Sequence, residues 1–181
     1  MKFTATPIPG VWLTDMERHE DERGWFARSW CAEEFAARGL NPRLVQCSVS
    51  FNKKKGTLRG MHWQAAPHEE VKLVRCMRGA IYDVALDLRP GSPTFRNWFA
   101  AELTVENGHA LYIPEGCAHG FQTLADDSEV FYQISHPWHQ DYARGVRWND
   151  PAFGIQWPDA AERHLSVRDQ TYPLQSDEQP A

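Results

Sequence analysis

The sequence predicts an all-β fold, an antiparallel sandwich or barrel with a few short helices. Three observations predict it. Short apolar runs are broken by Gly, Pro, Asn and Asp at a spacing of roughly eight to twelve residues, the rhythm of strands joined by turns. Eight Trp and nine Phe are many for 181 residues, and they suit an interior built on pleated surfaces, where large rings pack well. Helical character is confined to one clear stretch.

In chain order the strand candidates are "GVWLTD" (10–15), "RLVQCSVSFN" (43–52), "VKLVRCMRGAIYDVALDLR" (71–89), "NWFAAELTVENGHALYIP" (97–114) and "SEVFYQIS" (128–135). Between the first two, "CAEEFAARGL" (31–40) reads as a helix that stops at Gly39. A chain of 181 residues buries one good core and is short for two, so a single domain over 1–181 is expected. The end, "LQSDEQPA" (174–181), is polar and without apolar periodicity, and is expected to be a disordered tail.

Charge and composition exclude several classes. The net charge of −5 is spread along the chain, and the one basic block, Lys53 to Lys55, reads as a solvated turn, so no nucleic-acid partner is expected. Cys31, Cys47, Cys76 and Cys117 lie far apart with no C-x-x-C pair. With no signal peptide and no span of eighteen apolar residues, the reading is a soluble cytoplasmic protein without a membrane partner.

The chemistry gathers around the histidines. Gly56, His62, Gln64 and Glu69 follow the pattern G-x5-H-x-H-x4-E, with Gln64 where a second histidine would stand. Gly108, Pro114, Gly116 and His119 follow G-x5-P-x-G-x2-H. In that order the two motifs resemble the paired signatures of the cupins, which implies a cupin-like jelly-roll barrel. Alternate side chains of barrel strands point inward, so His62 and His119 would converge in one cavity. Convergence leaves three readings open. Two hydrogen-bonded core histidines would need many polar partners. A metal-dependent cupin, a dioxygenase or isomerase with His62 and His119 as ligands, would want three or four N or O donors, and Gln64 is a poor one. In the third reading, a histidine moves protons.

A longer series favours the third. "DERGWF", "LRGMHWQ", "KLVRCMRGAIYDVALDLR", "SPTF", "LYIPEGCAHGFQTL", "GVRWNDP", "IQWP" and "LSVRD" occur in this order over about residues 5 to 173. Together they resemble the dTDP-4-dehydrorhamnose 3,5-epimerases, a family of metal-free cupins. The resemblance implies epimerisation, without a cofactor, of a nucleotide-linked 4-keto-6-deoxyhexose beside its ketone, in deoxysugar biosynthesis. It also implies a homodimer with shared active sites.

That reaction needs a base, a stabiliser for the enolate and an acid on the opposite face. By resemblance His62 is the base, oriented by Asp169 of "SVRD". Lys72 of "VKLV" sets positive charge by the keto oxygen, and Tyr132 of "VFYQIS" is the acid. His119 would bond within the sugar pocket. Arg23 and Arg59 would grip the diphosphate as charge-assisted forks, with Arg168 where the family often has lysine.

Departures from the family pattern fall around the nucleotide and the pocket rim. Arg28 stands where a glutamate is common, Gln46 and Ser48 where Gln-x-Asn is, Trp138 at a thymine-stacking tyrosine, and Ala143 at a further glutamate. Guanidinium donates hydrogen bonds, which suits the ring acceptor of cytosine better than the N3–H of thymine. A CDP-linked sugar therefore stands beside a dTDP-linked one. Whether C3, C5 or both are inverted is left open by the residues, and a sugar-binding module without activity is the remaining alternative.

Overall fold

The structure is a computed structural model, and it describes residues 1–175. The described residues form thirteen strands. These are β1 (Lys2–Ala5), β2 (Trp12–Asp15), β3 (His19–Asp21), β4 (Gly24–Phe26), β5 (Gln46–Asn52), β6 (Leu58–Gln64), β7 (Lys72–Arg78), β8 (Ala80–Asp87), β9 (Trp98–Thr104), β10 (Ala110–Ile113), β11 (Cys117–Thr123), β12 (Ser128–Ile134) and β13 (Ala143–Gly145). Two short helices, α1 (Ala32–Ala36) and α2 (Val167–Thr171), accompany them.

The strands form two facing antiparallel sheets, a cupin-like jelly roll. One sheet runs β1-β2-β10-β7-β12-β5, the other β13-β6-β11-β8-β9, and β3 pairs with β4 as a separate hairpin. Between the sheets Val74, Ile81, Ala85, Leu111, Phe121 and Val130 form a fully buried core. The aromatic richness of the chain is spent on the outer faces. Phe35 of α1 packs with Leu73 and Tyr112 on the outside of the first sheet, where Phe3, Trp12 and Trp30 join it. Met61, Val84 and Leu86 of the second sheet are covered by Val146 and Phe153, with Trp63, Trp98 and Trp157 around them.

Helix α1 ends at Ala36, short of the expected 31–40, and a turn through Gly39 closes it. Gly39 sits at φ +69°, its N–H donates to Ala36 O at 2.9 Å, and Leu40 N–H donates to Phe35 O at 3.1 Å. This is a Schellman stop, in which a glycine takes the left-handed turn at no Cβ cost. Lys53 to Lys55 form an exposed turn, as expected.

Strand β5 lies at the edge of its sheet. Gln46, Ser48 and Ser50 point inward, so the intervening Val49 and Phe51 point out and are 63% and 46% exposed. Of the expected disordered tail, Leu174 and Gln175 are partly buried, and Gln175 N–H donates to Asp150 Oδ2 at 2.6 Å. Residues 176–181 lie outside the described residues.

Candidate active site

A cavity of about 860 Å3 opens between the two sheets and is lined from both. His62 of β6 stands opposite His119 of β11 in the second sheet. Lys72 of β7 and Tyr132 of β12 enter from the first sheet, with Gln46 and Ser48 of β5 beside them. The strand period of two explains the alternation, because only every second residue of β5 and β12 reaches the cavity.

His62 Nε2 lies 2.5 Å from Asp169 Oδ1, and the pair is asymmetric in exposure: the imidazole is 38% exposed to the cavity, the carboxylate 5%. The local sequence accounts for the placement. In "SVRD", Ser166 caps α2 by accepting from Asp169 N–H at 3.1 Å, which fixes the third helical residue and turns its carboxylate onto His62. Tyr172, just beyond α2, packs edge-on to His62 with ring centroids 6.0 Å apart. A Cβ at position 145 would meet that ring at 2.1 Å, so Gly145 on β13 is what admits it.

His119 Nε2 shares a 2.7 Å hydrogen bond with Asp83 Oδ1 behind it. Asp83 is fully buried, and burial pushes its carboxyl above the ordinary carboxylate range, with His119 and Lys72 pulling the other way. Tyr132 packs edge-on to His119, ring centroids 5.8 Å apart. Burial raises its phenol well above the usual value, with Ser50 opposing, so Tyr132 keeps its proton at neutral pH.

Lys72 Nζ lies 2.6 Å from Glu70 Oε1 and donates to the His62 carbonyl at 3.3 Å. The other Glu70 oxygen accepts from Gln64 Nε2 at 3.1 Å. Asp83 and Glu70 were missed in the sequence. Glu70 had a signal, since in "EVK" it sits two residues before Lys72 and so on the same side of extended chain.

Arg59 Nε is braced by Asn52 Oδ1 at 2.8 Å, Arg168 sits over the Tyr172 ring at 5.5 Å, and Trp138 N–H donates to Gln46 Oε1 at 3.3 Å; all three residues line the cavity. Arg23 and Arg28 do not line it. Arg23 is 88% exposed and bonded to Asp21 within the β3–β4 hairpin, and Arg28 Nη1 donates to Glu34 at 2.9 Å. Gln64, at the second cupin histidine position, is buried and ties loop backbones together. Among the described residues no set of three ligating groups at metal spacing includes His62 or His119, and each has its Nε2 engaged by a carboxyl group. The donor set does not favour a metal cupin.

The jelly roll thus brings an imidazole backed by aspartate from one sheet and a protonated phenol and a lysine from the other into one cavity, the kinds of group that a proton-transfer isomerase uses. A model of the family described as dTDP-4-dehydrorhamnose 3,5-epimerase matches residues 5–177. The dTDP-4-dehydrorhamnose 3,5-epimerase of Sinorhizobium fredii is 41% identical over 173 residues, 96% of this chain and 89% of that one. The crystal structure of the Bacillus anthracis enzyme with TDP and pyrophosphate bound superposes with a TM-score of 0.91 at 37% identity, covering 96% of this chain and 98% of that one. A 3′-monoepimerase from Streptomyces bikiniensis in complex with dTDP-quinovose gives 0.87 at 34% identity, over 94% and 86%. The chain belongs to the dTDP-4-dehydrorhamnose 3,5-epimerase family and is an epimerase of deoxysugar biosynthesis.

Proposed function

We propose that the protein epimerises a dTDP-linked 4-keto-6-deoxyhexose at carbon 3, carbon 5 or both, through an enolate. One observation carries this reading: His62 with Asp169 on one sheet faces Tyr132 on the other across a single cavity. With Nε2–H donated to Asp169, the lone pair of His62 Nδ1 takes the proton α to the ketone, and Asp169 stabilises the imidazolium formed. The C–H electrons move onto the keto oxygen, where the Lys72 ammonium opposes the charge. Tyr132 O–H then delivers a proton to the other face of the carbon. Solvent resets the imidazolium and the phenolate. One proton leaves and one returns, so the oxidation state is unchanged and no redox cofactor is called for.

His119, held by Asp83, borders the sugar. Gln46, Ser48 and Trp138 line the nucleotide end, where an indole offers any base a stacking face. Arg59 and Arg168 bind the diphosphate. Arg23 and Arg28 sit outside their own chain's cavity, which supports a homodimer in which the partner's hairpin completes the site. Exposed Trp25 and Phe26 on that hairpin, and Val49 and Phe51 on the β5 edge, are surfaces that pairing would cover. Arg28 is engaged by Glu34, so the cytosine-reading role gains no support from its own chain, and dTDP is the nucleotide proposed. Four unpaired cysteines support a cytoplasmic location.

The test is incubation with dTDP- and CDP-4-keto-6-deoxyglucose in D2O, followed by NMR. Deuterium entering at carbon 3 or carbon 5 of the dTDP sugar, with inversion, is expected. Faster turnover of the CDP sugar would transfer the proposal to cytosine, and no exchange with either would overturn it.

A further inference from the structure

Outside the catalytic groups, three histidines from two separate loops meet at the surface. His68 lies in the β6–β7 connection, and His136 and His139 follow β12. One potential ligand atom from each lies within 4.8 Å of the other two. His68 and His139 are 3.8 Å apart between ring centroids, and His136 stands 5.1 Å from His68. We infer that His68, His136 and His139 form a binding site for a divalent transition ion of the Zn2+ class, with water in the fourth position.

Three further observations point to a ligand. His68 Nδ1 is buried and has no hydrogen-bond partner among the described residues, a cost that a bound cation would remove. The hydrogen bond between His136 Nδ1 and the Pro137 carbonyl, at 2.9 Å, requires the proton on Nδ1 and leaves Nε2 as a free donor to metal. A ligating imidazole that gives its other N–H to a backbone carbonyl is the usual support for such a site. Finally, the loops are pinned before any ion arrives. Gln64 Oε1 accepts from His139 N–H at 2.6 Å, while its Nε2 donates to His68 O at 3.0 Å and Pro137 O at 3.2 Å. One buried carboxamide, standing where the cupin pattern has a metal-binding histidine, thus holds the backbone of His68, of His139 and of Pro137, the residue after His136.

Nitrogens bound to one tetrahedral Zn2+ at about 2.0–2.1 Å lie about 3.4 Å apart, so the widest pair closes by at most about 1.4 Å through side-chain rotation. Neutral imidazoles suit Zn2+, Ni2+, Cu2+ and Co2+ and do not suit Mg2+ or Ca2+, which prefer oxygen. The site also has a structural consequence for the cavity. Trp138 lies between two of the ligands and lines the cavity mouth, so an ion would fix the segment that presents it.

The test uses the untagged full chain, stripped of metal and titrated with Zn2+ by calorimetry and with Co2+ by visible absorption. One ion per chain is expected, with the intense visible bands of tetrahedral Co2+. His68→Asn and His139→Asn should each weaken binding about tenfold or more, and the double variant should lose it. Zn2+ should raise the Tm of the wild type and not of the double variant, whose own Tm without metal reports that it folds. His62→Asn should bind Zn2+ as the wild type does. Absence of binding, binding that survives in the double variant, or binding lost in His62→Asn would each overturn the site.

Discussion

Asp169 reaches His62 across 107 residues of sequence and holds its Nε2 through a carboxylate oxygen 2.5 Å away. The relationship is built by a cap and a strand: Ser166 orders the first turn of α2, and β6 presents the imidazole to the cavity. An imidazole fixed in one tautomer by a buried carboxylate is poised to take a proton on its other nitrogen.

Replacing the base should therefore stop exchange of the sugar protons with solvent while sparing recognition of the nucleotide. His62→Asn is expected to lower turnover by roughly 10²- to 10⁴-fold, and Asp169→Asn by a smaller factor, with the dissociation constant for dTDP within about threefold of wild type. Kinetics combined with calorimetry on dTDP checks this. Wild-type exchange in His62→Asn would remove it from the role of base.

Tyr132 predicts a separation of two events that the wild type couples. In Tyr132→Phe, His62 can still remove an α-proton and return a deuteron to the same face, so exchange in D2O should persist. Inversion should fall much further than exchange, because the phenol assigned to protonate the opposite face is gone. NMR of the recovered sugar distinguishes retained from inverted deuterated product, and equal loss of both would assign Tyr132 to positioning.

Glu70 predicts a loss of stability more than a change of mechanism. Its carboxylate joins Lys72 at 2.6 Å and Gln64 at 3.1 Å, and the Lys72 and Glu70 side chains are only 12% and 7% exposed. Removing one partner of a buried ion pair leaves the other charge uncompensated, at a cost of about 3–5 kcal/mol. Glu70→Gln should lower the urea midpoint accordingly, and an unchanged midpoint would show that solvent reaches Lys72 in the cavity.

The parts of this architecture that were legible in the sequence are those written locally. Turn spacing set the antiparallel class, Gly39 marked the turn that closes α1, and two glycine-containing motifs placed His62 and His119 in one cavity. Asp83 could not be read, because it lies in an ordinary apolar strand run and acquires its meaning only when β8 pairs with β11 and brings it behind His119. The histidine cluster was hidden for the same reason: His68 and His136 meet only once Gln64 has drawn two loops together. Arg23 and Arg28 illustrate the opposite limit, for a motif can name a residue while the fold of its own chain leaves it outside the cavity.

Asp87 predicts how stability responds to acid. It is fully buried, and burial alone would raise its carboxyl, but hydrogen bonds from Arg89, Ser92 and Thr94 outweigh this and hold it well below the usual carboxylate range. A depressed folded pKa gives stability that is present above the unfolded value near 3.9 and is lost as pH falls through the folded one. Asp87→Asn should thus be less stable than wild type at pH 7, and the difference should shrink as pH falls below about 4. Denaturant melts at pH 7 and pH 3 measure it; a constant difference would assign the loss to packing and not to charge.

The last prediction tests whether sites are shared between subunits. Arg23 is bonded to Asp21 on an exposed hairpin and does not line the cavity of its own chain, whereas His62 does. If the hairpin serves the partner, Arg23→Ala and His62→Asn are defects in different halves of one composite site. Each variant alone should be nearly inactive. In a heterodimer, the His62 of the Arg23→Ala subunit meets the intact Arg23 of the other, and one of the two sites is whole. Denaturing and refolding the variants together in equal amounts makes half of the dimers mixed, so about a quarter of wild-type activity should return. Mixing without subunit exchange should restore nothing. If co-refolding also restores nothing although mixed dimers form, each subunit uses its own arginine, and the hairpin must swing onto its own cavity when the diphosphate arrives.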